Sequence, residues 1–237
     1  MRLAIQLFTL RTIDAVAAFP ALAAQGYEAV ELFERPDDAG ELLERLDDAG
    51  LEACGWHIGL ERLEGELDDV VDQAQVLGIS HLVVPWTEGP ADGAGAEALM
   101  GRLAGLLDRV AAEGFALGYH NHGHELEPLA DGTVVLDVLA QVDGLELELD
   151  LGWAWAAGAD PVALLATHAG RVPLVHAKDF GGGESSVPVG DGLVGYERIV
   201  PAMRDAGVEW LVAEQEDIAG DPLGATARSA EFLRRLL

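Results

Sequence analysis

The chain has almost no cysteine and almost no lysine. Cys54 is the single cysteine among 237 residues, so no internal disulfide can form, and a structural zinc site built on thiolates is not expected. Lys178 is the single lysine, beside thirteen arginines. Positive charge is scarce altogether: 14 Lys and Arg face 42 Asp and Glu, a formal net charge of −28. That argues against nucleic acid or an anionic membrane as partner, because both are bound through basic surfaces. No apolar run approaches the roughly 20 residues that a membrane helix requires. The first residues, Met1 to Phe8, are too short for a signal peptide and read as a strand. Together these features predict a cytoplasmic location. No G-x-G-x-x-G follows that strand, and Phe8-Thr9-Leu10-Arg11 is not a phosphate loop, which argues against an open dinucleotide-binding sheet.

What the chain does have is a regular alternation. Half the residues are apolar, enough for a sizeable core. Eight short apolar runs read as strands, at 3–8, 29–33, 52–57, 81–86, 115–120, 145–150, 173–176 and 210–214. Between them lie stretches with apolar residues at helical spacing, including 15–24, 41–49, 63–77, 96–112, 196–206 and 225–237. Several stop at Gly26, Gly50, Gly78, Gly114 or Gly207. Asp160-Pro161 opens another, with Asp as cap and Pro in the first turn. Eight strand–helix units in one chain of this length predict a single (β/α)8 TIM barrel domain over 1–237. No linker divides it. The Gly-rich stretch from Gly181 to Ser186 follows the seventh strand and reads as a flexible active-site loop.

In such a barrel the C-terminal strand ends converge on one pocket. Four successive strands end in polar clusters: His120-Asn121-His122-Gly123-His124-Glu125, Asp150, His176-Ala177-Lys178-Asp179 and Glu214-Gln215-Glu216-Asp217. The sixth strand alternates strictly. Leu145, Leu147 and Leu149 are expected to face the helices, and Glu146, Glu148 and Asp150 the interior. Interior acids are costly unless paired or bound to metal. Asp150, His176, Glu214 and His120 are therefore the candidate ligands of one divalent ion, with His122 and Glu125 as substitutes for His120. The mixed oxygen and imidazole donors suit Mn2+ best, with Mg2+, Co2+, Zn2+ or Fe2+ as alternatives. Lys178, beside His176, is a candidate catalytic group or a salt-bridge partner of Glu148. His57 and Trp86 end the third and fourth strands and should border the pocket. Trp86 and Trp153 could form apolar walls of that pocket. Glu31 is either a polar contact or the buried partner of an Arg, while His81 and His168 read as ordinary hydrogen-bonded residues.

The motifs Gly26-Tyr27-Glu28-Ala29-Val30-Glu31, Gly118-Tyr119-His120-Asn121-His122 with Glu125, and Glu148-Leu149-Asp150-Leu151-Gly152-Trp153 carry a resemblance, as do Val175-His176-Ala177-Lys178-Asp179, Val189-Gly190-Asp191-Gly192 and Glu214-Gln215. Through them nearly the whole chain resembles the xylose-isomerase-like barrel superfamily, often labelled sugar phosphate isomerase/epimerase. The resemblance implies a divalent metal held by Glu, Asp, His and Glu from strands five to eight. Asp150, His176 and Glu214 match the last three. His120 stands where many relatives have Glu, so one of the two acid/base carboxylates of an epimerase is missing.

The expected substrate is a small sugar or sugar-like keto-polyol. The expected reaction is isomerisation or epimerisation through an enediolate, with the ion stabilising that intermediate. Glu214 is the candidate base, with Lys178 and His122 as further catalytic groups. His57, Trp86, Glu125 and Trp153 are expected to contact the substrate. The runner-up is a metal-dependent lyase or dehydratase of a keto-sugar or keto-inositol. A third reading is a barrel that binds sugar without catalysis. The abasic-site endonucleases, distant relatives, are disfavoured by the acidic charge and by too few ligands for a trinuclear zinc cluster.

Overall fold

The computed structural model describes residues 1–33, 35–182, 186–216, 218 and 220–237. Eight parallel strands close into a barrel: Arg2–Gln6, Ala29–Leu32, Glu52–His57, His81–Val84, Ala116–His120, Glu146–Asp150, Leu174–Ala177 and Trp210–Ala213. Each pairs with its sequence neighbours, and the last pairs with the first, Ile5 opposite Ala213. The eight sequence-predicted strands are all present: Glu52–His57 has the expected bounds, the others lose one or two residues at an end, and the first begins one residue earlier, at Arg2. The seventh runs one residue further, to Ala177.

The helices differ more from expectation. The first begins at Phe19, four residues later than the periodicity suggests, with Pro20 in its first turn. The stretch 63–77 is two helices, Leu60–Gly65 and Leu67–Leu77, which meet at Glu66 with φ −129°. Gly26, Gly50, Gly78 and Gly207 terminate helices in the left-handed region, as a residue without a Cβ can at little cost. After the seventh strand, Asp179–Phe180 forms a small antiparallel ribbon with Ser186–Val187. Gly183 to Ser185 of the proposed flexible stretch lie outside the described residues, as does Asp217 of the eighth cluster.

Strand alternation sorts the side chains into two apolar regions. The larger lies between strands and helices and takes Leu145, Leu147 and Leu149 from the sixth strand. A small cluster of Ala4, Ala29, Cys54, Leu174, Trp210 and Val212 packs separately. Two residues further along their strands, Ala4, Ala29, Leu174 and Val212 are followed by Gln6, Glu31, His176 and Glu214, all buried. An apolar floor thus supports a polar upper layer. The bulge between Val30 and Glu31 shifts the register against the third strand. Gly55 then leaves room for Glu31, because a Cβ there would come 2.8 Å from Glu31 Oε1.

Gly152 provides a second close approach. It sits in the helix Leu151–Ala156, directly after the sixth strand. A Cβ there would run into the carbonyl of Lys178 and lie 2.6 Å from the Lys178 Cβ. Gly152→Ala should therefore lower stability by about 1–3 kcal/mol, the usual scale of overpacking. Urea unfolding checks this, and an unchanged midpoint would contradict the contact.

Candidate metal centre and active site

The site is built from strand ends, each fixed by local bonds. Asn121 follows the fifth strand and clamps the sixth: its Oδ1 accepts the Asp150 N–H at 3.1 Å, and its Nδ2 donates to the Asp150 carbonyl at 3.5 Å. Asp150 Oδ1 accepts the Trp153 N–H at 2.8 Å, capping the helix that follows. This leaves Asp150 Oδ2 buried without a hydrogen bond. The Lys178 ammonium lies 3.2 Å from it, 3.2 Å from Glu214 Oε2 and 2.5 Å from Glu216 Oε1. Lys178 is thus an inward, fully buried group. Its partners are these three carboxylates and not Glu148.

His176 is hydrogen-bonded on both ring nitrogens. Nδ1 meets Glu214 Oε2 at 2.7 Å, and Nε2 meets Glu31 Oε2 at 2.6 Å. Glu31 also accepts from Gln6 Nε2 at 2.7 Å and lies 3.3 Å from His57 Nε2. Its partners are imidazoles and an amide; the Arg considered from sequence is not among them. Glu148 Oε2 stands 2.5 Å from His57 Nε2, 3.1 Å from His120 Nδ1 and 3.3 Å from His176 Nε2. His120 turns its other nitrogen, Nε2, toward Asp150 Oδ2 at 3.9 Å.

Two overlapping sets of donors result, each with ligand atoms within 4.8 Å of one another: His57, His120, Glu148 and His176, and His120, Asp150, His176 and Glu214. The second is the set expected from sequence. His120 and His176 belong to both, with one nitrogen facing each set. An imidazole that ligates a metal through one nitrogen donates its other N–H to a carboxylate or carbonyl. The two sets are therefore alternatives and not two simultaneous neutral-imidazole sites. Each set contains buried atoms without a hydrogen bond, Asp150 Oδ2 in the outer and His120 Nδ1 and Glu148 Oε1 in the inner. The outer set has in addition Glu31 and Glu148 behind it, placed to accept from its imidazoles. Carboxylates and imidazoles together suit Mn2+ and its neighbours.

The charges respond to this crowding. Burial, then the charge of Glu148, pushes Glu31 up to about 7. Burial alone would raise Glu214, but Lys178 and His176 outweigh it and hold the carboxylate well below the usual range. Asp150 is raised by burial, an effect that Lys178 only moderates. Burial would lower His176, yet Glu148 and Glu31 hold it well above an ordinary imidazole. Burial and the neighbouring His176 drive His120 well down.

The remaining sequence-predicted residues divide. His122 lies beside the pocket, 5.0 Å ring to ring from His120 and 5.9 Å from Trp153. Trp153 packs at a tilt against Phe180, 5.4 Å between ring centroids, and donates to Glu216 Oε1 at 3.4 Å, so it lines the same region. His57 is buried within the inner donor set. Glu125 is buried and occupied elsewhere: it accepts from Tyr119 OH at 2.9 Å and His122 N at 2.8 Å, and lies 3.0 Å from His124 Nε2. Those contacts anchor the loop after the fifth strand. Trp86 is 55% exposed and stands edge-on to His124, 6.5 Å between ring centroids. His81 pairs with Glu146 at 2.7 Å.

Sequence reasoning assigned no role to Gln6, Asn121 or Glu216 and left Glu31 and Glu148 undecided. Alternation on the sixth strand pointed to Glu148. A lone Gln ending an apolar strand was the available signal for Gln6.

His122 offers a direct check on the electrostatics. Burial, then the Lys178 charge, lowers it to about 4. The neutral ring is favoured in the fold, so the stability it contributes is present above about pH 6.5 and is lost as pH falls toward 4. NMR titration of the His122 ring should show a midpoint near 4; a midpoint at or above 6.5 would contradict this environment.

Comparison with known proteins agrees with the geometry. A family model described as a xylose isomerase-like TIM barrel matches residues 19–236. The rhizopine catabolism protein MocC of Rhizobium meliloti is 31% identical over 164 residues, 59% of this chain and 49% of that protein. The match thus spans about half the length of this curated relative. A sugar phosphate isomerase/epimerase from Parabacteroides distasonis ATCC 8503 has a similar structure, with TM-score 0.84, 20% identity, and 98% and 93% of the two chains covered. The probable 3-DHS dehydratase AsbF from Bacillus anthracis, involved in petrobactin synthesis, gives TM-score 0.81 at 15% identity, with 99% of each chain covered. At these identities the structural likenesses speak for the fold alone, but the family model covers most of the chain. The chain belongs to the xylose isomerase-like TIM barrel family.

Proposed function

We propose that this protein is a divalent-metal-dependent isomerase or epimerase of a sugar-like keto-polyol. One observation carries the reading. His120, Asp150, His176 and Glu214 come from four consecutive strand ends and form one buried donor set, in which Asp150 Oδ2 has no hydrogen bond. A divalent ion held there supplies a Lewis acid that lets a carbon beside a carbonyl lose its proton. The chain's own groups supply the rest. Glu214 is ionised and at the strand end, placed to take the proton. Lys178 holds a full positive charge beside Asp150 and Glu214 and can donate a hydrogen bond to a substrate oxygen as negative charge develops. His122, neutral at pH 7, is a second proton carrier. Trp153 provides an apolar wall for the C–H face of the substrate.

A lyase or dehydratase is the second reading, favoured by His120. The donor set contains two carboxylates, Asp150 and Glu214, where a two-base epimerase of this kind uses another acid on the fifth strand. With a single base, proton removal followed by loss of a β leaving group is the simpler outcome, and Lys178 can assist that departure. The similarity in fold to a probable dehydratase is consistent with this alternative.

Two expectations follow from the site. The purified protein should bind about one Mn2+ per chain, and Asp150→Ala or His176→Ala should remove it. Atomic absorption after dialysis measures this; wild-type metal content in both variants would sink the outer set as the seat. With Mn2+ and ketoses or keto-inositols in D2O, the protein should place solvent deuterium on the carbon next to the carbonyl. Glu214→Gln should slow that exchange by roughly 10² or more, the scale of general-base loss. Exchange at the wild-type rate would move the base elsewhere. Loss of water, seen in the same spectra, would select the lyase.

A further inference from the structure

We propose that the pocket takes neutral polyhydroxy ketones and turns away their phosphate esters. The inference rests on the reading of the site as a keto-polyol pocket and narrows its substrate class.

In a barrel of this kind a substrate phosphate is usually bound by the loops after strands seven and eight, through backbone N–H groups and the start of a helix. Successive backbone N–H groups pointing into one concavity form such an anion nest. Here that nest is already filled by the chain itself. Asp179 is 1% exposed. Its carboxylate accepts the N–H groups of Phe180 at 3.0 Å, Gly190 at 2.9 Å, Gly192 at 3.2 Å and Val194 at 3.0 Å. The loop is wrapped closely around it. Gly190 has φ 98°, and a Cβ on Gly192 would collide with the Asp179 carboxylate. An incoming phosphate would have to displace an internal, fully satisfied anion.

Among its described residues, the loop after the eighth strand is no more receptive. The Gln215 N–H donates to Thr9 Oγ1 at 3.1 Å, and the Glu216 N–H to Ser186 Oγ at 3.1 Å. The helix Pro222–Leu236 begins with a proline, which has no N–H, and the Asp221 carboxylate lies beside its first turn without a capping hydrogen bond, 2.5 Å from where a Gly224 Cβ would sit, so that its charge opposes an anion there. Among the described residues, the nest after the seventh strand is thus taken by a carboxylate of the chain, and the Gln215 and Glu216 N–H groups after the eighth by hydroxyls.

The cationic side chains are similarly engaged. Among the described residues, those that touch the site or these two loops are Lys178, Arg11 and Arg228. Lys178 is shared by three carboxylates. Arg11 donates to the carbonyls of Phe8 and Glu216 and lies over the Phe8 ring at 4.2 Å. Arg228 pairs with Asp191 at 3.4 Å. Even with a divalent ion in place, Glu148, Asp150, Glu214 and Glu216 leave the pocket negative, and a phosphate dianion is repelled. A hydroxyl-bearing neutral ligand meets the opposite situation. Carboxylates accept from its hydroxyls, the buried His122 Nδ1 has no hydrogen-bond partner of its own, and Trp153 offers an aromatic face.

The test is calorimetric titration of the Mn2+-loaded protein, at constant free Mn2+, with matched pairs. D-fructose is compared with its 1- and 6-phosphates, D-xylulose with its 5-phosphate, and D-tagatose with its 6-phosphate; inorganic phosphate serves as competitor. At least one free ketose should bind, each phosphate ester should bind about tenfold or more weakly than its parent, and inorganic phosphate should not compete. An ester that binds as tightly as its parent, or more tightly, overturns this inference and leaves the keto-polyol reading standing. If neither free ketoses nor esters bind, this inference falls, and the keto-polyol reading is decided separately by the exchange experiment in D2O with ketoses and keto-inositols.

Discussion

Burying several carboxylates in one barrel is the constraint on which the site depends. Glu31, Glu148, Asp150 and Glu214 are each at most 6% exposed, and isolated charges there would cost many kcal/mol. They are tolerated because His57, His120, His176 and Lys178 are threaded between them. His176 is central, since its two nitrogens tie Glu31 to Glu214 across the interior. Removing one member of such a network leaves its partner buried and unmatched, which is generally worse than never having the pair. The polar layer is held in place by this mutual dependence and by the apolar floor beneath it.

The same constraint separates an inner from an outer function. The inner carboxylates face ring nitrogens and are positioned to fix how the imidazoles point. The outer ones face Lys178 and the strand ends. In the proposed reading, orientation and chemistry fall to different residues of similar type, linked by the imidazoles they share. A metal ligand set with a built-in second layer of acceptors is the arrangement that gives imidazole ligands a fixed direction.

The barrel was legible because its signals are local and repeated: alternation within strands, helical spacing between them, and glycine at helix ends. The outer donor set was legible for a related reason. The barrel rule converts the sequence position "end of strand" into proximity, so Asp150, His176, Glu214 and His120 could be grouped without knowing any distance. The rest depended on information that no rule of spacing carries. Glu31 reaches His176 because of a bulge and the missing side chain of Gly55. Glu125 lies in the same short motif as His120 but turns to Tyr119 and His124, a choice made by loop geometry after Gly123. Trp86 ends a run of strand-like residues, yet the strand stops at Val84 and the ring remains largely in solvent. The break at Glu66 interrupts a sequence whose apolar periodicity is compatible with one continuous helix.

The single lysine has a further consequence. Lys178 is 1% exposed and lies among Asp150, Glu214 and Glu216. Selective isotope labelling of lysine would therefore give one side-chain ammonium signal for the whole protein, arising from the centre of the candidate site. Burial and carboxylate partners slow the exchange of its protons with water, which favours detection. The scarcity that limits the chain's positive charge thus makes it a protein with one intrinsic spectroscopic reporter, able to register what enters the pocket without any added probe.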